Sequence, residues 1–224
     1  MKRAELAKRI DHTLLGPAAT RASVKQLCTE AIQYGVASVC VNPCHIELVR
    51  EQLGDAPVKA CTVIGFPHGM TTAETKAFEA QKAIAAGADE LDMVINVAAL
   101  KEGNYVAVAD DIRGVCTAAE KAPRGVVVKV ILETALLSDE EKVAGATLAK
   151  AAGAKFVKTS TGFGPAGATA EDVALLRATV GEEMGVKAAG GIRDAATAIA
   201  MIEAGASRIG ASRSVEILED VEPE

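Results

Sequence analysis

The chain has 224 residues, half of them hydrophobic and 24% charged, with a net charge of −6, five Cys, three His, two Tyr, four Phe and no Trp. That length suits one α/β unit with a sizeable core, while the negative charge and scarce aromatics offer neither a nucleic-acid footprint nor platforms for base stacking. The charged, amphipathic start from Met1 to Ile10 lacks the apolar centre of a secretory signal, and no later stretch is apolar for long enough to span a bilayer, so a cytoplasmic location without membrane contact is the default expectation.

From the N-terminus, a β-type run at residues 10–14 opens the series, and Ala31-Ile32-Gln33-Tyr34-Gly35 leads straight into a second at 36–41. An apolar helical run, a glycine and a short β-type segment recur at Gly87, Gly153 and Gly205, where each glycine is expected to cap its helix in the left-handed region. Further β-type runs at 59–66, 126–132 and 185–188 bring the strands to eight. Helix starts are marked by capping-box spacing at Thr71-Thr72-Ala73-Glu74 and Ser138-Asp139-Glu140-Glu141, by Thr169 to Asp172, and by Asp194. Eight βα units on this length predict a (β/α)8 TIM barrel, residues 1–224 forming one catalytic domain, with an open doubly wound sheet as the competitor. The acidic end, residues 219–224, is expected to be solvated. Cys28, Cys40, Cys44, Cys61 and Cys116, odd in number and scattered, fit reduced thiols better than a disulfide framework.

Chemistry concentrates at Lys155-Phe156-Val157-Lys158-Thr159-Ser160-Thr161-Gly162-Phe163-Gly164, an apolar strand that ends on a lysine and enters a hydroxyl-rich, glycine-rich turn. A lone strand-end lysine ordinarily snorkels to water. Here, however, Lys129, Lys187 and Asp92 each interrupt another apolar run, and a sheet buried on both faces has nowhere cheap to put a charge except one shared polar pocket. In a barrel that pocket lies at the C-terminal mouth of the strands. Asp92 either balances charge there or moves protons. A free lysine with a pKa near ~10.4 is less than ~0.1% neutral at pH 7, and lowering that pKa by ~3 units needs roughly 4 kcal/mol. Neighbouring ammonium groups in a partly dry pocket supply energy of that order, so imine chemistry on a carbonyl substrate is the natural reaction class.

Three glycine-rich turns complete the rim: 162–167, Gly190-Gly191-Ile192-Arg193, and Gly210-Ala211-Ser212-Arg213-Ser214; the last two are where such barrels hold a phosphate. The first also matches G-x-G-x-x-G, but it falls late, contains Pro165, and the next strand carries Lys187 where a ribose-binding acid is wanted. Neither His12, His45 and His68 nor the cluster from Cys40 to His45 has convincing metal-ligand spacing, so no metal is expected. Ser160 lacks the elbow of a serine nucleophile.

Together, Leu91-Asp92-Met93-Val94-Ile95-Asn96, Lys129-Val130-Ile131-Leu132-Glu133-Thr134, Lys158-Thr159-Ser160-Thr161-Gly162-Phe163 and Val186-Lys187-Ala188-Ala189-Gly190-Gly191-Ile192-Arg193 resemble the deoxyribose-phosphate aldolase family, over a likeness running from Ile10-Asp11-His12-Thr13 to Gly210-Ala211-Ser212. The resemblance implies a lyase of deoxyribose phosphate catabolism that cleaves 2-deoxy-D-ribose 5-phosphate reversibly into acetaldehyde and D-glyceraldehyde 3-phosphate. It implies no cofactor, a phosphosugar substrate and a homo-oligomeric assembly. Carried over by motif position, Lys158 forms the Schiff base, and Lys187 and Asp92 donate and accept protons. Lys129, Thr161 and Asp11 line the pocket, and Gly162, Gly190, Gly191, Gly210 and Ser212 meet the phosphate end. Arg213 stands where similar sequences often carry a small residue. Two alternatives remain at this point. A phosphosugar isomerase on the same barrel has Glu133 as its candidate base. A noncatalytic phosphosugar-binding protein needs only the rim glycines.

Overall fold

A computed structural model describes residues 1–222. Its eight strands are β1 (Ile10–Leu14), β2 (Ser38–Val41), β3 (Lys59–Ile64), β4 (Glu90–Val94), β5 (Val127–Ile131), β6 (Phe156–Lys158), β7 (Gly185–Ala189) and β8 (Arg208–Ala211). Each pairs in parallel with the next, and β8 pairs with β1, so the sheet closes and the open-sheet competitor is excluded. The helices are α1 (Arg3–Ala7), α2 (Arg21–Tyr34), α3 (Ile46–Leu53), α4 (Ala73–Ala85), α5 (Val97–Lys101), α6 (Tyr105–Glu120), α7 (Asp139–Ala151), α8 (Ala170–Val180), α9 (Ala195–Glu203) and α10 (Ser214–Glu219). This is a (β/α)8 TIM barrel in which the connection after β4 carries two helices.

Alternation along the strands separates two environments. Outward residues such as Val39, Leu91, Met93, Val130, Val157, Val186 and Ile209 pack with Leu27, Val49, Ile84, Ile112, Val115, Leu176 and Ile217 of the helices in one apolar layer. Each fully buried side chain of this kind contributes roughly 1.5–3 kcal/mol against the entropy of ordering it. Inside the barrel, only the β2–β3 side is apolar, with Leu15, Cys40, Cys61 and Val63 clustered beside Phe66. The charged residues of the interior gather on the remaining strands, where Arg208 also lies over the Phe156 ring.

Helix ends follow their expected chemistry with small shifts. Ser138 and Glu141 form a reciprocal capping box, and Thr169 and Asp194 accept from the third residue of their helices. The α4 cap is Thr72, accepting from Thr75 N, so the expected box on Thr71 and Glu74 is displaced by one residue. Gly35 is a left-handed C-cap, whereas α4, α7 and α9 end on Ala86, Ala152 and Ala204, and Gly87, Gly153 and Gly205 follow with φ of 108°, 96° and 115°. The acidic end is partly tied down: Tyr34 Oη donates to Glu219, Arg3 donates to Val221 O at 2.8 Å, and Val221 is buried. Residues 223 and 224 of that stretch lie outside the described residues. No described helix is long and apolar enough to cross a membrane.

Candidate active site

Strand register sets the height of each inward side chain. Lys158 and Lys187 face each other across β6 and β7, whereas Lys129, which pairs with Phe156, lies one inward step deeper than Lys158. Asp92 is level with Lys129 on β4. The Asp92 carboxylate therefore reaches up and sideways to three ammonium groups. Its Oδ1 meets Lys129 Nζ at 2.7 Å, and its Oδ2 meets Lys187 Nζ at 2.7 Å and Lys158 Nζ at 2.9 Å.

A second tier supports this one. Lys187 Nζ lies 2.5 Å from Asp11 Oδ2, Lys129 Nζ lies 2.6 Å from Glu90 Oε2, and Arg208 Nη1 bridges Asp11 at 2.6 Å and Glu90 at 3.0 Å. Burial alone would raise the Asp92 carboxyl, but Lys129, Lys158 and Lys187 outweigh it and hold that carboxyl well below the usual carboxylate range. Asp11 is depressed against the same burial penalty, chiefly by Lys187 and Lys129. Burial opposes the Lys187 charge, yet Asp11 and Asp92 outweigh it and keep the ammonium above the ordinary lysine range; Lys129 is raised in the same way, led by Asp92. Partners on every side are what make this cluster of charges tolerable.

Above this network lies a cavity of about 330 Å³ lined by Lys158, Thr161, Gly162, Gly190, Gly191, Gly210 and Ser212 together with Thr13, Leu15, Arg193 and Arg213. Lys158 is the one amine in that wall. Asp92 touches it from below, Lys187 bonds the same carboxylate oxygen, and both are fully buried. Asp11 and Lys129, expected to line the pocket, do not reach its wall and instead form the tier beneath. Lys129 sits too deep because the β5–β6 stagger pairs it with Phe156 and leaves Lys158 above it, while the Asp11 carboxylate is taken up by Lys187 and Arg208. Asn96, on the same sequence parity as Asp92, falls beyond the end of β4 and caps α5 by accepting from Ala99 N at 3.1 Å.

Glycines shape the mouth. A Cβ on Gly210 would stand 2.9 Å from Lys187 Cε, so the side chain missing from β8 is the space that Lys187 occupies. A Cβ on Gly167 would overlap the Gly190 carbonyl oxygen at 2.1 Å, and Ala168 N bonds that oxygen at 3.1 Å. The last glycine of the G-x-G-x-x-G match thus lets the β6 turn pack on the β7 turn. The helix start that a dinucleotide fingerprint requires is absent there, since α8 begins only at Ala170.

Sequence reasoning missed Glu90, Arg208 and Arg193. The first two lie two residues before Asp92 and Gly210 and so share their inward parity, a signal that was present. Arg193 follows the Gly190-Gly191 turn and lines the cavity with Arg213. Cys40, Cys61 and Asp92 bring three ligand-type atoms within 4.8 Å of one another, as do Asp11, Cys61 and Glu90. Lys129 Nζ lies among these atoms, 3.3 Å from Cys61 Sγ and 2.7 Å from Asp92 Oδ1.

A TIM barrel presenting one amine on the floor of a cavity, with carboxylate and ammonium partners behind it, is the architecture of an enzyme that works on carbonyl compounds through a lysine. The model of the DeoC/LacD family aldolases matches residues 6–217. The chain is 57% identical over 215 residues to a deoxyribose-phosphate aldolase of Caldanaerobacter subterraneus subsp. tengcongensis, covering 96% of this chain and 93% of that one. It is 58% identical to a deoxyribose-phosphate aldolase of Thermococcus gammatolerans, covering 96% of each. Among solved structures, the tetrameric deoxyribose phosphate aldolase from Aeropyrum pernix superposes with a TM-score of 0.91 at 38% identity, covering 97% of this chain and 91% of that one. The chain belongs to the DeoC/LacD aldolase family. It is a lyase of the aldolase type.

Proposed function

We propose that the chain cleaves 2-deoxy-D-ribose 5-phosphate reversibly to acetaldehyde and D-glyceraldehyde 3-phosphate, with Lys158 as the Schiff-base lysine and Asp92 and Lys187 moving protons. One observation carries this reading: Lys158 Nζ and Lys187 Nζ share the same oxygen of Asp92 on the floor of the cavity. The buried network holds four cations, Lys129, Lys158, Lys187 and Arg208, against three carboxylates, Asp11, Glu90 and Asp92. Of the three lysines in this network, Lys158 is the one that lines the cavity, so it is the amine a carbonyl substrate can reach.

Lys158 adds to the C1 carbonyl, and loss of water gives an iminium. Asp92, relaying directly or through one water, takes the proton of the C3 hydroxyl as the C2–C3 bond breaks. The bonding electrons pass to C2 and the iminium nitrogen as an enamine, and glyceraldehyde 3-phosphate leaves. Lys187 returns a proton toward C2, and water releases acetaldehyde from Lys158. Thr161 touches the middle of the substrate, while Gly162, Gly190, Gly191, Gly210 and Ser212, joined by Arg193 and Arg213, receive the phosphate. Asp11 and Lys129 hold Asp92 and Lys187 in place from below.

Residues 1–224 serve as one catalytic domain. The tetrameric relative supports a homo-oligomer, and a cytoplasmic location accords with a phosphorylated substrate. Incubation with 2-deoxyribose 5-phosphate should release acetaldehyde, and Lys158→Leu should abolish that release. Full turnover by the Leu variant would refute the assignment.

A further inference from the structure

Glu133 is the only described residue other than glycine with positive φ, at 59°, and it sits just after β5 with its carboxylate buried. A left-handed glutamate is an unfavourable backbone choice that the surroundings must enforce. No described cation pairs with that carboxylate. What it meets is the β6 turn: Thr161 Oγ1 donates to Glu133 Oε2, and Thr161 N approaches Oε2 at 3.3 Å and Oε1 at 3.4 Å. Gly164 closes over the other side, where a Cβ would stand 2.8 Å from the carboxylate carbon. Phe163 N then donates to Thr161 Oγ1 at 3.0 Å.

A hydroxyl has one proton and two lone pairs. The Thr161 proton is committed to Glu133 and one lone pair to Phe163 N, which leaves a single lone pair to offer a ligand in the cavity that Thr161 and Lys158 line. We infer that Glu133 is a positioning residue: it fixes the β6 turn over Lys158 and locks Thr161 as a hydrogen-bond acceptor, selecting substrates that present a hydroxyl donor beside the reacting carbon. This deepens the aldolase reading of the same site and rests on it. Glu133 acts through Thr161 and is not the base of an isomerase, since its carboxylate is spent on the turn.

The test measures addition of acetaldehyde to two acceptors, glyceraldehyde, which carries the hydroxyl, and propanal, which lacks it, in the wild type, Glu133→Ala, Glu133→Gln and Thr161→Val. Borohydride trapping of acetaldehyde on Lys158 is run in parallel. One neutral hydrogen bond corresponds to a preference of about fivefold in kcat/KM, and that ratio should collapse in Glu133→Ala and Thr161→Val while trapping persists. Glu133→Gln should keep most of the preference, because Thr161 N needs an acceptor and draws the amide oxygen into the Oε2 place, where the hydroxyl can still donate. A Glu133→Ala enzyme that keeps the wild-type ratio, or that loses both acceptors equally, overturns the inference. Should that variant fail to fold, the ratio in Thr161→Val decides, since it breaks the same lock from the other end. Failure of the wild type to trap acetaldehyde at all would instead refute the aldolase reading.

Discussion

Replacing Lys187 with Met keeps an apolar stem of similar length beside Gly210 and removes one ammonium from the buried network. Lys158 and Lys187 lie 2.9 and 2.7 Å from the same Asp92 oxygen. Two nitrogens held that way are within about 6 Å of each other, and two positive charges at that distance repel by roughly 3 kcal/mol at an effective dielectric of about 20. At 1.36 kcal/mol per unit, this corresponds to about two pH units. Reductive trapping of acetaldehyde, followed as a rate against pH, should therefore shift about two units toward alkaline pH in Lys187→Met. Peptide mapping at each pH confirms that the label remains on Lys158. An unmoved profile would refute the proximity argument, and a shift toward acid would reverse its sign.

Asp92→Asn removes the carboxylate that three ammonium groups share, so it should cost roughly 3–5 kcal/mol of stability by denaturant melts. It should also slow carbon–carbon cleavage by about 10²–10⁴-fold while imine trapping persists, and retained turnover would make Asp92 a charge balancer only. Asp11 and Asp92 are held below their ordinary value of 3.8 in the folded chain. Their stabilisation is therefore complete above an unfolded pKa of about 4 and is lost as pH falls through the lower folded values. Acid melts should show a loss of stability below about pH 4 that is reduced in Asp11→Asn. Arg213→Ala should raise KM for the phosphorylated substrate by about tenfold and leave unphosphorylated 2-deoxyribose unaffected, which steady-state kinetics on the two sugars would check.

The strand count and alternation were legible because glycines after the helices and hydroxyl or acidic caps before them punctuate the chain locally. Capping misplaced Thr71 and Thr72 by one residue for the same reason, since adjacent hydroxyls offer the same cap. Lys158 stood out because an amine inside an apolar strand needs an explanation, and the structure brings Asp92, Lys129 and Lys187 to it. What could not be read was depth. The stagger between neighbouring strands decides whether an inward residue reaches the mouth or stays beneath it, so Lys129 and Lys158 look equivalent in sequence yet lie on different tiers. Glu90 and Arg208 were overlooked because each begins its strand, where a charge is ordinarily assigned to solvent. The role of Glu133 required the backbone itself, because nothing in Leu132-Glu133-Thr134 announces a left-handed turn.

Covalent attachment tests the central claim most directly. The protein is incubated with acetaldehyde, reduced with borohydride and digested, and the modified peptide is identified by mass. A single ethylated lysine at Lys158 is the predicted result. Label on Lys129 or Lys187 with Lys158 unmodified, or no label at all, would contradict it.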